Sequence, residues 1–471
     1  LGWVCDKEWY GTLAQSVFFL GAIVGGVVCG WAADKYGRVP VLVATNVVGA
    51  IASLLTPLAW SLPEFLIYRF IIGIAFDNIF VMMYVLAIEY VGPKHRTLVA
   101  NLSIALFYAT GTVLLPWMMI GVGDWRLMSV ISSAPMILAC ASHWLLPESA
   151  RWLLSQGRVE ETIEILERIA RINRKIIPPK VIDTMKKNAL QERVSSMEGD
   201  LPLKEMDVSL LDLLKTPRLR RTTIVICLVW MIIALEYDGH VRNVLNLPID
   251  VFIAFTVACA SELPADVFLV LTLDKWGRRW YLFIILVLSG VFSILTTAFE
   301  GNTIIIASLA IMGRFCINVA FNIGLQYASE LLPTVVRAQS VAFVHIMGYV
   351  AGLLSPLVVF LGTLNPFIPL VILGLASIVG GCLALLLPET LHRDLPQTMS
   401  DGENFGIDQS FCYWPCARNQ EEPSVPSISL GELGHQPSFI RHRPRPSVRG
   451  ETYRSSLIKH RREVVYIPPV D

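Results

Sequence analysis

Two carboxylates stand inside long apolar runs: Asp77 in the run 64–86 and Glu262 in the run 249–273. An ionisable side chain at the centre of a membrane-spanning helix costs about 2.5–3.5 kcal/mol on insertion scales, so an acid kept there has a partner or a task. The task suited to two acids facing one poorly solvated space is to hold a cation. The alternative is pairing with a resident neighbour such as Arg314 or His345. Aromatic faces attract ammonium groups. Trp230 and Tyr237 lie two helical turns apart and share one face. Phe80, Phe107, Phe321 and Tyr349 are further ring candidates, unless they serve as packing or interface anchors. Asp238, His240 and Arg242 cluster just past the run that ends at 237. They read as an outer gate, as a carboxylate-binding arginine with its neighbours, or as solvated loop charges.

These residues have to be placed by membrane helices. The 471-residue chain is 54% apolar and only 16% charged. Its mean hydropathy is +0.58. That is the balance of a polytopic membrane protein. Apolar runs of spanning length fall at 12–32, 40–60, 64–86, 97–120, 126–146, 221–237, 249–273, 280–299, 303–326, 339–362 and 367–387. The net charge of zero implies no bulk attraction to nucleic acid. Of the nine cysteines, seven follow no metal-like spacing; most sit in apolar runs as small core residues, and Cys5 is expected outside the membrane. No phosphate-cradling glycine loop or ATP site appears. An enzyme, a bound metal and a cofactor are therefore not expected. H⁺ or Na⁺ remains open as a coupling ion.

The connectors carry a repeated charge pattern. Gly30-Trp31-Ala32-Ala33-Asp34-Lys35-Tyr36-Gly37-Arg38 lies between two apolar runs, and Asp274-Lys275-Trp276-Gly277-Arg278-Arg279 lies between two others. Glu89 and Arg96 recur as Glu330 and Arg337, and Pro147-Glu148 recurs as Pro388-Glu389. Glu89 to Glu148 spans 59 residues, as does Glu330 to Glu389. We read an internal duplication into two repeats. Eleven runs are odd for two equal repeats. The second half has a helix, 221–237, ahead of the helix leading to Asp274, and the first half has no counterpart. The expectation is a twelve-helix plan lacking its first helix. Gly30 is expected to let a neighbouring helix approach closely. Gly37 permits a sharp turn, and Asp34, Lys35 and Arg38 meet headgroup water.

The basic connectors alternate with poorly basic ones, which puts the Asp34 and Asp274 loops and the 148–220 segment on the cytoplasmic side. Four segments follow: 1–147, an N-terminal helical repeat; 148–220, a cytoplasmic helical linker; 221–392, a C-terminal helical repeat; and 393–471, a disordered cytoplasmic tail. In the linker, Ile163, Leu166 and Ile169 give 159–175 helical periodicity, and Ser209–Lys215 reads as another short amphipathic piece. The tail is rich in Pro, Ser, Arg and Glu and carries one aromatic cluster, Phe411–Cys416, along with basic runs. The aromatic cluster could dock on the bilayer, and a cytoplasmic partner could read the tail. Asn101-Leu102-Ser103 spells a glycosylation sequon but falls at the cytoplasmic end of a run.

The Gly-x-x-x-Asp-Lys-x-Gly-Arg loop resembles that of the major facilitator superfamily. Val4-Cys5-Asp6, Leu86–Gly92, Pro147-Glu148-Ser149-Ala150-Arg151-Trp152-Leu153, Glu262-Leu263-Pro264-Ala265 and Ser329–Arg337 together resemble solute carrier family 22, the organic ion transporters, over roughly 3–392. Pro388–His392 is similar to insect members that handle amines such as carcinine or β-alanine. The resemblance implies an all-α facilitator fold of two six-helix repeats that works by alternating access. It also implies a gate built from Gly30, Asp34, Lys35, Gly37, Arg38, Glu89, Arg96, Glu148, Arg151, Asp274, Gly277, Arg278, Glu330, Arg337 and Glu389. Trp230, Tyr237, Glu262, Phe107, Phe321 and Asn322 fall at cavity positions, and Phe80 replaces a cavity tryptophan. Tyr349 stands where cation transporters have aspartate, and Asp77 where they have lysine. The implied cavity stays acidic, with no fixed cation in its deepest part.

The expected function is secondary transport of a small organic cation or zwitterion (an amine, or a carnitine-like or amino-acid-derived solute) across the plasma membrane. Two other functions stay open: organic anion transport, and a non-transporting sensor or scaffold acting through the tail.

Overall fold

The computed structural model describes residues 9–90, 107–139, 142–187, 210–299, 301–333, 336–391 and most of 393–409. Arg96, Asn101 and 410–471 lie outside the described residues, as do the side chains of Asp77, Phe80, Arg151 and Asp274. The described chain is helical and contains no strand.

The first half holds α1 (Trp9–Tyr36), α2 (Arg38–Leu55), α3 (Leu62–Tyr90), α4 (Ala109–Val122) and α5 (Trp125–Ala139). Two polar-linker helices follow, α6 (Ala150–Ser155) and α7 (Val159–Ile172). The second half holds α8 (Pro217–Asn243), α9 (Val251–Ala260), α10 (Glu262–Trp276), α11 (Arg278–Leu295), α12 (Thr303–Leu331), α13 (Arg337–Gly352), α14 (Ser355–Phe360) and α15 (Ile368–Ala384). A final short helix is α16 (Met399–Asn404). A bilayer core of ~30 Å takes about 20 helical residues. Among the described residues, seven helical stretches meet that length and are apolar: Trp9–Tyr36, Arg38–Leu58, Pro217–Asn246, Val251–Leu273, Arg278–Phe299, Thr303–Leu331 and Gln339–Thr363.

Lipid tails are as apolar as leucine, so membrane helices associate through close packing and polar bonds. In the first half that packing is the α1–α3 crossing. A Cβ added at Gly21 would sit 2.2 Å from the Phe70 carbonyl oxygen, and one at Gly73 would sit 2.1 Å from that of Phe18. The close approach expected at Gly30 is not there: a Cβ on Gly30 would meet nothing within 4 Å. The close approach is made at Gly21 and Gly25, earlier along α1; beside Gly30 it is Cys29 and Ala33 that join the cluster holding Met82 and Leu86 of α3, and Gly30 lies on another face. The second half has a continuous buried core that includes Trp230, Ile233, Tyr281, Leu286, Ile317 and Tyr327.

One membrane-length unit is broken in the middle. Val251–Leu273 spans as one stretch, yet α9 ends at Ala260 and α10 starts at Glu262. Pro264 lacks the N–H that would bond the Ala260 carbonyl, and its ring crowds that carbonyl, so the helix is interrupted there. Glu262 sits in the first turn after the break. The helix expected to end at 237 runs on to Asn243, because Asp238 and Arg242 pair at one-turn spacing, with the Arg242 Nε 2.5 Å from an Asp238 oxygen.

Disorder was expected from 393, but α16 is packed against the second half. Thr398 and Asp401 form a capping box. The Glu403 carboxylate accepts the backbone N–H groups of Arg218 (3.0 Å) and Leu219 (2.8 Å) at the start of α8. Burial pushes the Glu403 carboxyl up, but these donors outweigh it and hold the group below its ordinary range.

Candidate functional site

The polar centre of the second half forms where α8, α10 and α12 meet. The break before α10 delivers Glu262, and α12 delivers Arg314, Asn318 and Asn322 at one-turn intervals along one face. The Arg314 Nη2 lies 2.8 Å from the Glu262 Oε1, and both residues are buried. The Arg314 Nη1 donates to the Tyr237 carbonyl at 2.8 Å, and the Tyr237 hydroxyl donates to the Glu262 Oε1 at 2.9 Å. The guanidinium carbon stands 4.0 Å from the Tyr237 ring centre. One turn past Glu262, Asp266 accepts from the Asn322 amide at 2.7 Å. Between these two rungs, the Asn318 amide donates to the Ser261 hydroxyl at 3.4 Å.

Rings extend the site toward the first half. Tyr237 packs on Phe321 with centres 4.5 Å apart, and Phe321 packs on Trp230 at 4.9 Å. Trp230 meets His345 at 5.9 Å, and His345 meets Tyr349 at 5.2 Å and bonds its hydroxyl at 3.2 Å. Tyr349 meets Phe19 of α1 at 6.3 Å. Phe19 also packs against Gly352, the Ser16 hydroxyl donates to the Leu353 carbonyl at 3.2 Å, and Arg242 stands 5.7 Å over the Phe19 ring. These contacts between the halves join the start of α1 to the end of α13, at the membrane face opposite the Asp34 loop.

At the loop face, each half makes the same joint with itself. Gly37 turns the chain with φ 110° and Gly277 with φ 80°, values that favour glycine. The Glu148 carboxylate then accepts the N–H groups of Arg38 (3.0 Å), Val39 (3.2 Å) and Ser149 (2.9 Å). The Glu389 carboxylate accepts those of Arg278 (2.8 Å), Arg279 (3.0 Å), Thr390 (2.9 Å) and Leu391 (3.0 Å). A carboxylate at a helix N-terminus answers its unpaired donors and its positive dipole end. The Arg38 Nη1 bonds Asp34 at 2.7 Å, and the Arg278 Nε lies 3.2 Å from Glu330. The Tyr90 hydroxyl donates to the Pro147 carbonyl, and the Tyr327 hydroxyl to that of Pro388 at 2.6 Å.

The structure therefore joins Trp230, Tyr237, Glu262, Phe321, Asn322 and Tyr349 into one connected assembly. Phe107 stands apart from it, exposed just ahead of α4. Two expectations need correction. Glu262 is not a lone acid, because Arg314 carries the compensating charge. The second is the absence of a fixed cation: Arg314 stands among these residues, bonded to Glu262 and Tyr237. Trp230 is fully buried beneath Phe321 and supports the ring face from behind. Sequence reading passed over Asp266. The same rule that selects Asp77 and Glu262, an ionisable residue within an apolar run, also selects Asp266 and Arg314.

A family model described as sugar (and other) transporter matches residues 6–400. The relatives place the chain within it more narrowly. An organic cation transporter-like protein of Drosophila melanogaster is 34% identical over 416 residues, covering 86% of this chain and 72% of the relative. This chain is a facilitator-superfamily transporter of the solute carrier 22 type. A β-alanine transporter of the same fly is 32% identical to this transporter, covering 89% of it and 68% of the relative. Solute carrier family 22 member 13 of Homo sapiens is 31% identical, covering 85% and 70%. The inward open xylose transporter XylE from E. coli shares the fold, with a TM-score of 0.61 at 16% identity over 85% of this transporter and 90% of that chain. The chain is thus a multi-pass membrane transporter and not an enzyme.

Proposed function

We propose that this transporter carries a small organic cation or zwitterion across the plasma membrane by alternating access, with the Asp34 and Asp274 loops on the cytoplasmic face. The observation that carries this reading is the local charge balance where α10 meets α12: Glu262 pairs with Arg314, and one turn on Asp266 is held by the neutral Asn322, beside the rings of Tyr237 and Phe321. A cation gains from that excess, and the rings add attraction for an ammonium group. The halves touch through Ser16, Phe19, Tyr349 and Leu353, opposite the Asp34 loop, and in this reading those contacts are the closed outer gate. In this reading the paired joints at Glu148 and Glu389 keep each half rigid while the two rock.

Organic anion transport has one observation in its favour, the buried Arg314, and organic anion transporter 3 of Oryctolagus cuniculus is a 31% identical relative. The two separate in an uptake assay with labelled phenethylamine in cells expressing the chain. Uptake inhibited by other amines and indifferent to benzoate is the expected result. Benzoate uptake with no amine uptake refutes the cation reading.

A further inference from the structure

Three rungs join α12 to α9 and α10: Arg314 with Glu262, Asn318 with Ser261, and Asn322 with Asp266. The first rung is neutral overall. Glu262 receives a guanidinium and a phenol hydroxyl, and the Arg314 Nη1 donates to the Tyr237 carbonyl. The last rung is not neutral. Among the described residues, the one side chain bonded to Asp266 is the uncharged amide of Asn322. Asp266 is half-buried and Asn322 is exposed, so this carboxylate reaches open space that Glu262 does not.

The middle rung supplies a second, independent sign. Asn318 is 2% exposed, and its Oδ1 has no hydrogen-bond partner. A buried acceptor without a donor is costly and rare enough to need a reason. This unfilled acceptor lies one turn along α12 from the amide that holds Asp266, a carboxylate bonded to no cation among the described residues, and the two together call for one group: a positive charge that also carries N–H donors.

We infer that Asp266, positioned by Asn322 and joined by the Asn318 carbonyl oxygen, receives the protonated amine of the cargo, and that Glu262 does not. This rests on the cationic reading above and narrows it. A primary ammonium has three donors, enough for Asp266 and Asn318 together, whereas a quaternary ammonium has none. The preferred cargo is therefore an amine that keeps its N–H groups. Pairing of Glu262 with Arg314 then fixes the wall against which Asp266 is held.

The test is binding of phenethylamine, its N,N,N-trimethyl analogue and benzoate to the purified full chain in detergent, by isothermal titration. Wild type is expected to bind phenethylamine several-fold more tightly than the trimethyl analogue. Asp266→Asn is expected to weaken phenethylamine by about tenfold or more, the worth of one charge-assisted bond. Asp266→Glu should restore most of that loss, which a merely structural role for the site would not do. Asn318→Leu should narrow the gap between the two amines. Monodisperse elution of each variant guards against misfolding. If Asp266→Asn binds phenethylamine as wild type does, the assignment to Asp266 fails and the cation reading stands. Equal affinity for both amines in wild type overturns the N–H requirement. If wild type binds benzoate alone, or none of the three, the cation reading falls and takes this inference with it.

Discussion

The Arg314–Glu262 pair makes a quantitative prediction. With charge centres about 4 Å apart and an effective dielectric near 20, their attraction is roughly 4 kcal/mol. Removing one partner does more than cancel this, because the other charge is left buried and alone; such truncations cost about 3–5 kcal/mol. Arg314→Met also strands the Tyr237 carbonyl, to which Arg314 donates at 2.8 Å. Glu262→Gln keeps an acceptor for the Tyr237 hydroxyl but leaves the guanidinium uncompensated. The double variant removes both charges, and replacing a buried pair by neutral groups is often close to neutral. Thermal unfolding of the purified protein in detergent should therefore show both single variants melting well below wild type. The double variant should melt no lower than either single, a coupling of about 3 kcal/mol. Additive losses, with the double variant the least stable, would refute the view that the two charges answer each other.

Three further outcomes follow from the same structure. Glu389 is fully buried and accepts four backbone N–H groups where the half-buried Glu148 accepts three, so Glu389→Gln should lower the unfolding temperature more than Glu148→Gln. Equal effects would count against the capping argument. Glu403 is held below its ordinary range when folded, so its contribution is complete above the unfolded value of about 4.3 and fades as pH falls through and below it. Limited proteolysis around 398–409 should speed up at pH 4 relative to pH 7 in wild type, and Glu403→Gln should be fast at both. A Cβ at Gly352 would meet the Phe19 ring at 3.0 Å, so Gly352→Leu should wedge α13 from α1. An impermeant maleimide applied outside should then label Ser16→Cys faster than in the Gly352 background.

Helices, repeats and the loop motif were legible because each leaves a local mark: an apolar run, a glycine at a turn, a charge pattern recurring at the same step. The mates of those marks were not. Glu262 stands out in its own run, but Arg314 lies 52 positions away, and no periodicity links them. Glu148 and Glu389 could be matched by spacing. Their task, holding the first amides of helices that begin about 110 residues earlier, needs the folded corner. Gly30 shows the converse. A small residue permits a crossing, and only the geometry of α1 against α3 says that Gly21, Gly25 and Gly73 make it. Asp238 and Arg242 look like loop charges one at a time, and only their one-turn pairing carries α8 onward to Asn243.

The ring series from Tyr237 through Phe321, Trp230, His345 and Tyr349 to Phe19 runs from the polar centre of the second half to the seam between the halves. Parting α1 from α13 must unstack Tyr349 from Phe19 and so disturb one end of a series whose other end packs on the Arg314–Glu262 pair. Under the proposed function, seat and seam are then not retuned separately: trimming Phe321 or Tyr349 to admit larger solutes would loosen the barrier too, and a broader diet would bring with it slippage of solute down its gradient.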